Sequence, residues 1–328
     1  MDGKRKVFSG VQPTGNMHIG TYLGAFRNWV KLQDAYEAIY CVVDLHALTA
    51  PVEPADLHRN RLEAAKMLLA VGIDPDRSLV YFQSQVPQHA ELSWILGAMT
   101  PTGVLNRMTQ FKEKSEAAGA NLGLYAYPVL MAADILLHRA DLVPVGDDQR
   151  QHLEMTRDLA ERFNNRYGDV FPVPDALIPE HAARVMGLTD PTAKMSKTDP
   201  NPKSKVLMLD PADTIRKKIK SAVTDSEPTI RLDWDDKPGI SNLLEIMSAA
   251  TDRSIESLVD EHSASGYGAF KEAVAEAVIT LAAPIKSRYS ELDDAEVARL
   301  MQKGALDART SAEGYQREVR RAVGLERV

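Results

Sequence analysis

A chain of 328 residues, 44% hydrophobic and 26% charged, has the make-up of an ordinary folded protein and is long enough for two domains with sizeable cores. No apolar run approaches the roughly 20 residues that span a bilayer, one cysteine allows no internal disulfide, and a net charge of −7 excludes whole-surface attraction to nucleic acid. A local basic face between Lys194 and Lys220 stays open. The opening residues MDGKRKVFSG lack the apolar stretch of a secretory signal, so the expectation is a cytoplasmic protein without a membrane anchor.

In chain order, Val7-Phe8 opens a strand that stops at Ser9-Gly10. A Pro/Gly turn then carries polar side chains outward, and a helix begins between His18 and Thr21. Unpaired N–H groups and the macrodipole at such a helix start attract phosphate, although the same pattern also builds a βα unit with no ligand. Thr21 to Asp34 continues as an amphipathic helix with Leu23, Phe26 and Val30 on one stripe. Ala38 to Val43 reads as a buried strand with Cys41 in the core, and Asp44-Leu45-His46 leaves polar groups at its end. A helix over Leu57 to Val71 and a strand over Ser78 to Val86 complete a βαβα alternation, which predicts an α/β fold with a doubly wound parallel sheet.

Further helices are predicted over His89 to Met99, Asn106 to Ala118 and, opened by Pro128, Val129 to Arg139, with a small polar linker at Gly119 to Gly123. Asp141 to Val145 is a fourth strand and Gln151 to Asn164 another helix. Pro172, Pro174 and Pro179 break regular structure after Phe171, and a second breaker-rich loop covers Asp190 to Lys205. Beyond Pro211 helical patterns dominate, one of them with Phe270, Val274, Ala277 or Val278, and Leu281 on a single face. The chain therefore divides into residues 1–204 and a helical domain over 205–328.

Three stretches besides the opening turn carry chemistry. In Tyr127 to Leu137 an acidic residue interrupts a nearly all-apolar helix, with Tyr127, Met131 and Asp134 on about the same side. A buried carboxylate needs a donor; His138 and Arg139 would supply it locally, or a mostly apolar substrate with one N–H or O–H would. In Val145 to His152 the acidic pair Asp147-Asp148 serves either as helix caps or, on the same sheet edge as the opening turn, as a ribose or amine contact. Lys194-Met195-Ser196-Lys197-Thr198 is either a solvated face or a loop that closes over a polyphosphate and neutralises developing charge.

Together these stretches resemble the class I aminoacyl-tRNA synthetases. His18-Ile19-Gly20-Thr21 corresponds to the HIGH signature of that class and Lys194 to Thr198 to its KMSKS signature, in the right order. Within the class the chain is similar to the bacterial tryptophanyl-tRNA synthetases, through FSGVQPTG, RMTQFKEKS, YPVLMAADILL, VPVGDDQRQHLEMTRDLAERFN, DPTAKMSKTDPNPK and IKSAVTDSE, which cover most of residues 7–227. The resemblance implies a Rossmann-type catalytic domain, a helical anticodon-recognition domain and a homodimer. It implies that tryptophan and Mg·ATP give tryptophanyl-adenylate and pyrophosphate, after which tRNA(Trp) takes the amino acid. No zinc or iron–sulfur cluster is expected.

By that resemblance Gln12, Pro13, Thr14, His18, Gly20 and Thr21 hold ATP, Gly146, Asp147 and Asp148 contact the nucleotide, and Val185 lies by the adenine. Lys194, Met195, Ser196, Lys197 and Thr198 close on the phosphates and Lys114 reaches the triphosphate, so that Lys194, Lys197, Lys114 and Thr21 carry the catalytic part. Asp134 accepts the indole N–H; Phe8, His46, Met131, Ile135, Val143 and Val145 line the ring pocket; Tyr127 and Gln149 meet the ammonium. Thr21 stands where the family normally has Asn, Thr198 replaces Ser, Asp147 replaces Glu, and Gly187 and Ala193 replace Ser and Lys. The rivals are a tyrosyl-tRNA synthetase, which usually carries a Tyr where this chain has Phe8, a non-catalytic tRNA-binding paralogue, and a small-molecule nucleotidyltransferase that would not require the helical segment.

Overall fold

The structure, a computed structural model, describes residues 3–15, 17–108, 121–146, 149–178 and 184–326. Its centre is the strand β1 (Lys6–Val11), flanked by β2 (Glu37–Val42) and β4 (Leu142–Pro144). With β3 (Leu79–Phe82) and β5 (Asp175–Leu177) the described residues form a parallel sheet in the order β3-β2-β1-β4-β5. The chain leaves β1 toward β2 and later returns to its other side as β4, so the carboxyl ends of β1 and β4 border the crevice where open α/β sheets bind ligands.

Strand periodicity divides the core into two layers. Val7, Tyr40, Val42, Val80 and Phe82 face one cluster with Ile19, Leu23, Phe26 and Leu68. Phe8, Ile39, Cys41, Val43 and Tyr81 face the other, with Leu92, Leu96, Val129, Ile135 and Leu136. The first layer is covered by α1 (Ile19–Thr21), a π-helical turn (Tyr22–Phe26), α2 (Arg27–Ala35) and α4 (Pro54–Val71). The other is covered by α5 (Gln88–Gly97), α7 (Leu122–Leu137) and α8 (Arg150–Tyr167), while α3 (Asp44–Ala47) and α6 (Thr102–Leu105) are single turns.

Several expected boundaries move. The helix start falls at Ile19, inside the expected His18 to Thr21 window, but the helix is interrupted by the π turn directly after the candidate phosphate-binding residues, a placement common for π turns at functional sites. Pro128 does not open its helix: α7 starts at Leu122, where the Asn121 side chain accepts from the Leu124 N–H at 2.8 Å, and runs through the proline. Burial of Leu124, Pro128, Val129 and Ala132 outweighs the missing N–H. The proline-rich stretch after Phe171 yields β5, since a short edge strand paired on one side tolerates nearby prolines. Of the helix expected over 106–118, residues 109–118 lie outside the described residues, and 106–108 form a turn.

After residue 205 the chain is helical: α9 (Ala212–Lys220), α10 (Pro238–Thr251), α11 (Ile255–His262), α12 (Tyr267–Glu291) and α13 (Asp294–Val323). Phe270, Val274 and Val278 are buried on one face of α12, as their spacing predicts. The last helix returns to the sheet. Ala305, Ala308, Ala312 and Val319 join the second core layer, and α13 covers the open edge at β3, the kind of edge that otherwise invites strand pairing. Contact is so close that a Cβ on Gly304 would lie 1.9 Å from the Val80 carbonyl oxygen. Arg320 clamps Glu91 of α5 at 2.6 Å from the other end of the same helix.

Candidate active site

The opening turn is closed by its own side chains. His18 caps α1, its Nδ1 accepting from the Thr21 backbone N–H at 3.3 Å. Its Nε2 then carries the proton and donates to Thr21 Oγ1 at 3.1 Å. Burial first, and then the cations of Lys197, Lys205 and Lys194, hold the imidazole down at about 4, so His18 is a neutral hydrogen-bonding group at neutral pH. A side chain on Gly20 would crowd that ring, 3.1 Å from Nδ1, and Val185, 3.3 Å away. Gln12 and Thr14 are exposed and Pro13 is buried beneath them.

The KMSK-like loop is stitched to this turn by backbone hydrogen bonds. Ile19 N–H donates to Val206 O at 2.9 Å and Met208 N–H to Met17 O at 2.8 Å, around an antiparallel bridge between His18 and Leu207. Met195 is buried in the first core layer and its N–H donates to Val185 O at 3.1 Å. That anchor leaves Lys194 and Thr198 exposed on either side of it. Lys197 reaches across, its Nζ donating to Thr14 Oγ1 at 2.7 Å, and burial pushes its ammonium down from the ordinary lysine value. Gln12, Thr21 and Lys197 line one cleft with Gly15 and Met17. Ser196 and Thr198 hydroxyls bond each other at 2.9 Å. Lys205, which sequence reasoning missed, donates to the Lys197 and Asp199 carbonyls, the latter at 2.8 Å, and so holds the loop's shape.

Part of the expected basic face over residues 194–220 is taken up by intramolecular pairs: Lys218 with Asp210 at 2.6 Å, Lys220 with Glu272 at 2.8 Å, and Arg216 with Glu272 and Glu276.

The second half of the site lies beyond β1 and β4. Phe8, Ile135, Val143 and Val145 are buried in one apolar cluster with Met131 packed half-buried against it. Asp134 sits among them at 1% exposure. Its partners are not the nearby His138 and Arg139: His138 bonds the Tyr81 hydroxyl at 2.7 Å and Arg139 pairs with Glu318. His138, one helical turn on, is engaged by the Tyr81 hydroxyl, and side chains from other elements pair with the carboxylate. Oδ2 accepts from His46 Nε2 at 2.9 Å, and Oδ1 accepts from Gln83 Nε2 at 2.7 Å and lies 2.7 Å from His89 Nδ1. Burial would raise this carboxyl, but His89 and His46 overcome that and hold it down at about 2, so it is ionised at neutral pH.

Tyr127 hydrogen-bonds His152 and meets His46 edge-on at 6.0 Å. Gly146 and Gln149 are exposed at the entrance to α8. Lys114, Asp147 and Asp148 lie outside the described residues. Gln83, His89 and Tyr81 were the other residues missed; the run of polar residues in QSQVPQHAE, directly after a strand end, was the available signal.

The arrangement suits transfer between bound substrates. A cation crosses the turn, a neutral imidazole lies below it, and an ionised acceptor is buried among apolar side chains. The one cysteine, Cys41, is buried in β2 with its thiol pushed well up by burial, which keeps it protonated and unsuited to act as a nucleophile.

Comparison with known proteins bears on this geometry. A sequence model of the tRNA synthetases class I (W and Y) matches residues 2–283. The chain is 50% identical to the tryptophan–tRNA ligase of Caldanaerobacter subterraneus subsp. tengcongensis over 322 residues, 98% of each chain. Its structure is similar to tryptophanyl-tRNA synthetase from Mycoplasma pneumoniae, with a TM-score of 0.90, 33% identity and 98% of both chains covered. It is also similar to the Campylobacter jejuni tryptophanyl-tRNA synthetase solved with ADP and tryptophan, with a TM-score of 0.85, 35% identity, and 98% and 100% covered.

Proposed function

The chain belongs to the class I tRNA synthetases of the tryptophan and tyrosine group, and from that premise we propose that it is a tryptophan–tRNA ligase working in the cytoplasm. The observation that carries the choice of amino acid is Asp134, an ionised acceptor buried among Phe8, Ile135, Val143 and Val145. Such a pocket suits a large apolar ring bearing one N–H. A phenol-binding relative would set a hydroxyl where this chain has Phe8.

In the first step a tryptophan carboxylate oxygen attacks the α-phosphorus of ATP, the bond to pyrophosphate breaks, and tryptophanyl-adenylate forms. Gln12, Pro13, Thr14, His18, Gly20 and Thr21 hold the nucleotide with Gly146, Asp147, Asp148 and Val185 on its other side. Lys194, Lys197 and Lys114 take up charge as pyrophosphate departs, with Met195, Ser196 and Thr198 shaping the loop. Mg2+ travels with the triphosphate and would neutralise part of its charge. Phe8, His46 and Met131 wall the ring while Tyr127 and Gln149 meet the ammonium. In the second step a hydroxyl of the terminal adenosine of tRNA(Trp) attacks the carbonyl and AMP leaves. The helices after residue 205 take the anticodon-recognition role, with α9 to α12 as the part directed to tRNA.

A homodimer goes with this reading. Trp94, Leu122 and Leu48 are 81%, 78% and 60% exposed, and Asn121, next to Leu122, donates to Thr49 O at 3.0 Å, which supports an apolar surface for a second copy. Light scattering should give twice the mass of the chain.

Amino-acid-dependent ATP–pyrophosphate exchange with tryptophan and tyrosine side by side tests the function. Exchange with tryptophan is expected; exchange with tyrosine alone moves the chain to the rival, and none with either removes the synthetase reading.

A further inference from the structure

Asp134 is held by more than the pocket requires. Gln83 and His89 both address Oδ1, at 2.7 Å each, and both side chains are fully buried at 0% exposure. The Gln83 amide has only one workable orientation, because its Oε1 accepts from the Leu45 backbone N–H at 3.0 Å and its Nε2 must then face the carboxylate. Leu45 lies in α3 beside His46, the donor to Oδ2. Ser84 ties the same turn down by donating from its N–H and hydroxyl to Asp44 at 2.8 and 2.6 Å. His89 is oriented from behind: its Nε2 is 2.9 Å from the Tyr81 hydroxyl, which is 2.7 Å from His138 Nε2.

Proton bookkeeping fixes the end of that chain nearest the carboxylate. A ring nitrogen 2.7 Å from a carboxylate must bear a proton, even though its N–H is not aligned for a full hydrogen bond. Behind it the Tyr81 hydroxyl bridges His89 Nε2 and His138 Nε2, donating to one ring and accepting from the other. Cys41 from β2 and Lys6 from β1 are the other titratable groups whose fields reach this cluster.

We infer that Gln83 and His89 are positioning residues for amino-acid selection: they hold Oδ1 of Asp134, fix the plane of its carboxylate, and leave on Oδ2, which also accepts from His46, a lone pair for the substrate's ring N–H. Neither side chain touches the reacting atoms. The inference rests on the tryptophan reading above and deepens it, since an acceptor free to rotate or to take a proton would no longer distinguish a ring N–H from an isostere without one.

The test is pyrophosphate exchange with tryptophan and with its benzothiophene analogue, in which sulfur replaces the ring N–H. Gln83→Met keeps the volume and removes the donor. It should cut the preference for tryptophan about tenfold and raise KM for tryptophan, with kcat held within about twofold. His89→Asn sets an amide N–H near the place of Nδ1 and should keep the preference within about threefold, whereas its isostere His89→Leu should lose about tenfold. Equal behaviour of the Asn and Leu variants, or an unchanged preference in Gln83→Met, overturns the inference. Should His89→Leu fail to fold, Gln83→Met carries the same comparison. Wild-type protein without tryptophan-dependent exchange removes the reading beneath, which separates the two failures.

Discussion

The two halves of the site are built by different means. The half proposed to hold phosphate, the phosphate half, joins two short segments far apart in sequence, each with its own turn chemistry, through backbone bridges and one long lysine contact. The ring half is assembled from β1, α3, α5, α7, β4 and the turn after β3, with a fully buried polar chain behind it. The first keeps polar groups in or near water, where they await a charged ligand. The second has paired its polar groups before any ligand arrives, because an unpaired carboxylate or imidazole in a dry core is costly. Rate should therefore depend on the first half, and selectivity and stability on the second.

The sharpest way to break that division is Lys197→Ala. Adenylate formation should slow by about 10²- to 10³-fold while KM for tryptophan moves less than about threefold; single-turnover kinetics with a tryptophan titration would read both, and a matching rise in KM would erase the distinction. Asp134→Ala attacks the other half. It leaves His46, Gln83 and His89 without their acceptor, so stability should fall by about 3 kcal/mol in urea unfolding and the preference for a ring N–H should collapse. Unaltered selectivity would make Asp134 a structural group only.

Gly304→Ala probes a region outside both halves. A methyl group aimed at the Val80 carbonyl forces α13 off β3, and stability should drop by about 1–3 kcal/mol, with exchange activity retained in the folded fraction. A variant as stable as the parent would mean that the helix shifts freely. A change of pH acts on both halves without a mutation. His18 at about 4 and His138 at about 3 lie below the unfolded value of 6.5, so the unfolded state binds more protons as pH falls from 6.5 toward those values. Folded stability should decrease by about 2 kcal/mol per histidine between pH 7 and pH 5, as a shift in the urea midpoint. Asp134, held at about 2, adds its loss only at still lower pH.

The phosphate half is legible in the amino-acid sequence because its logic is local. A strand, a Gly/Pro turn and a helix start occur within Lys6 to Thr21, and a lysine-bearing loop within Lys194 to Thr198. The alternation of β1 to β4 with helices likewise follows from periodicity, which the two core layers obey residue by residue. Where local rules failed, burial outweighed them: α7 passes through Pro128, and β5 forms between prolines because an edge strand needs few donors.

What the sequence by itself determined was the α/β alternation, the strand–turn–helix opening, the lysine-bearing loop and the presence of one acid in an apolar helix. Only the tertiary structure decided that this acid turns to His46, Gln83 and His89 instead of His138, and that the last helix returns to seal β3. The physical reason is the same for both. A buried charge and an open strand edge must each be satisfied, but any element that reaches them will serve, and sequence neighbourhood does not say which element that is.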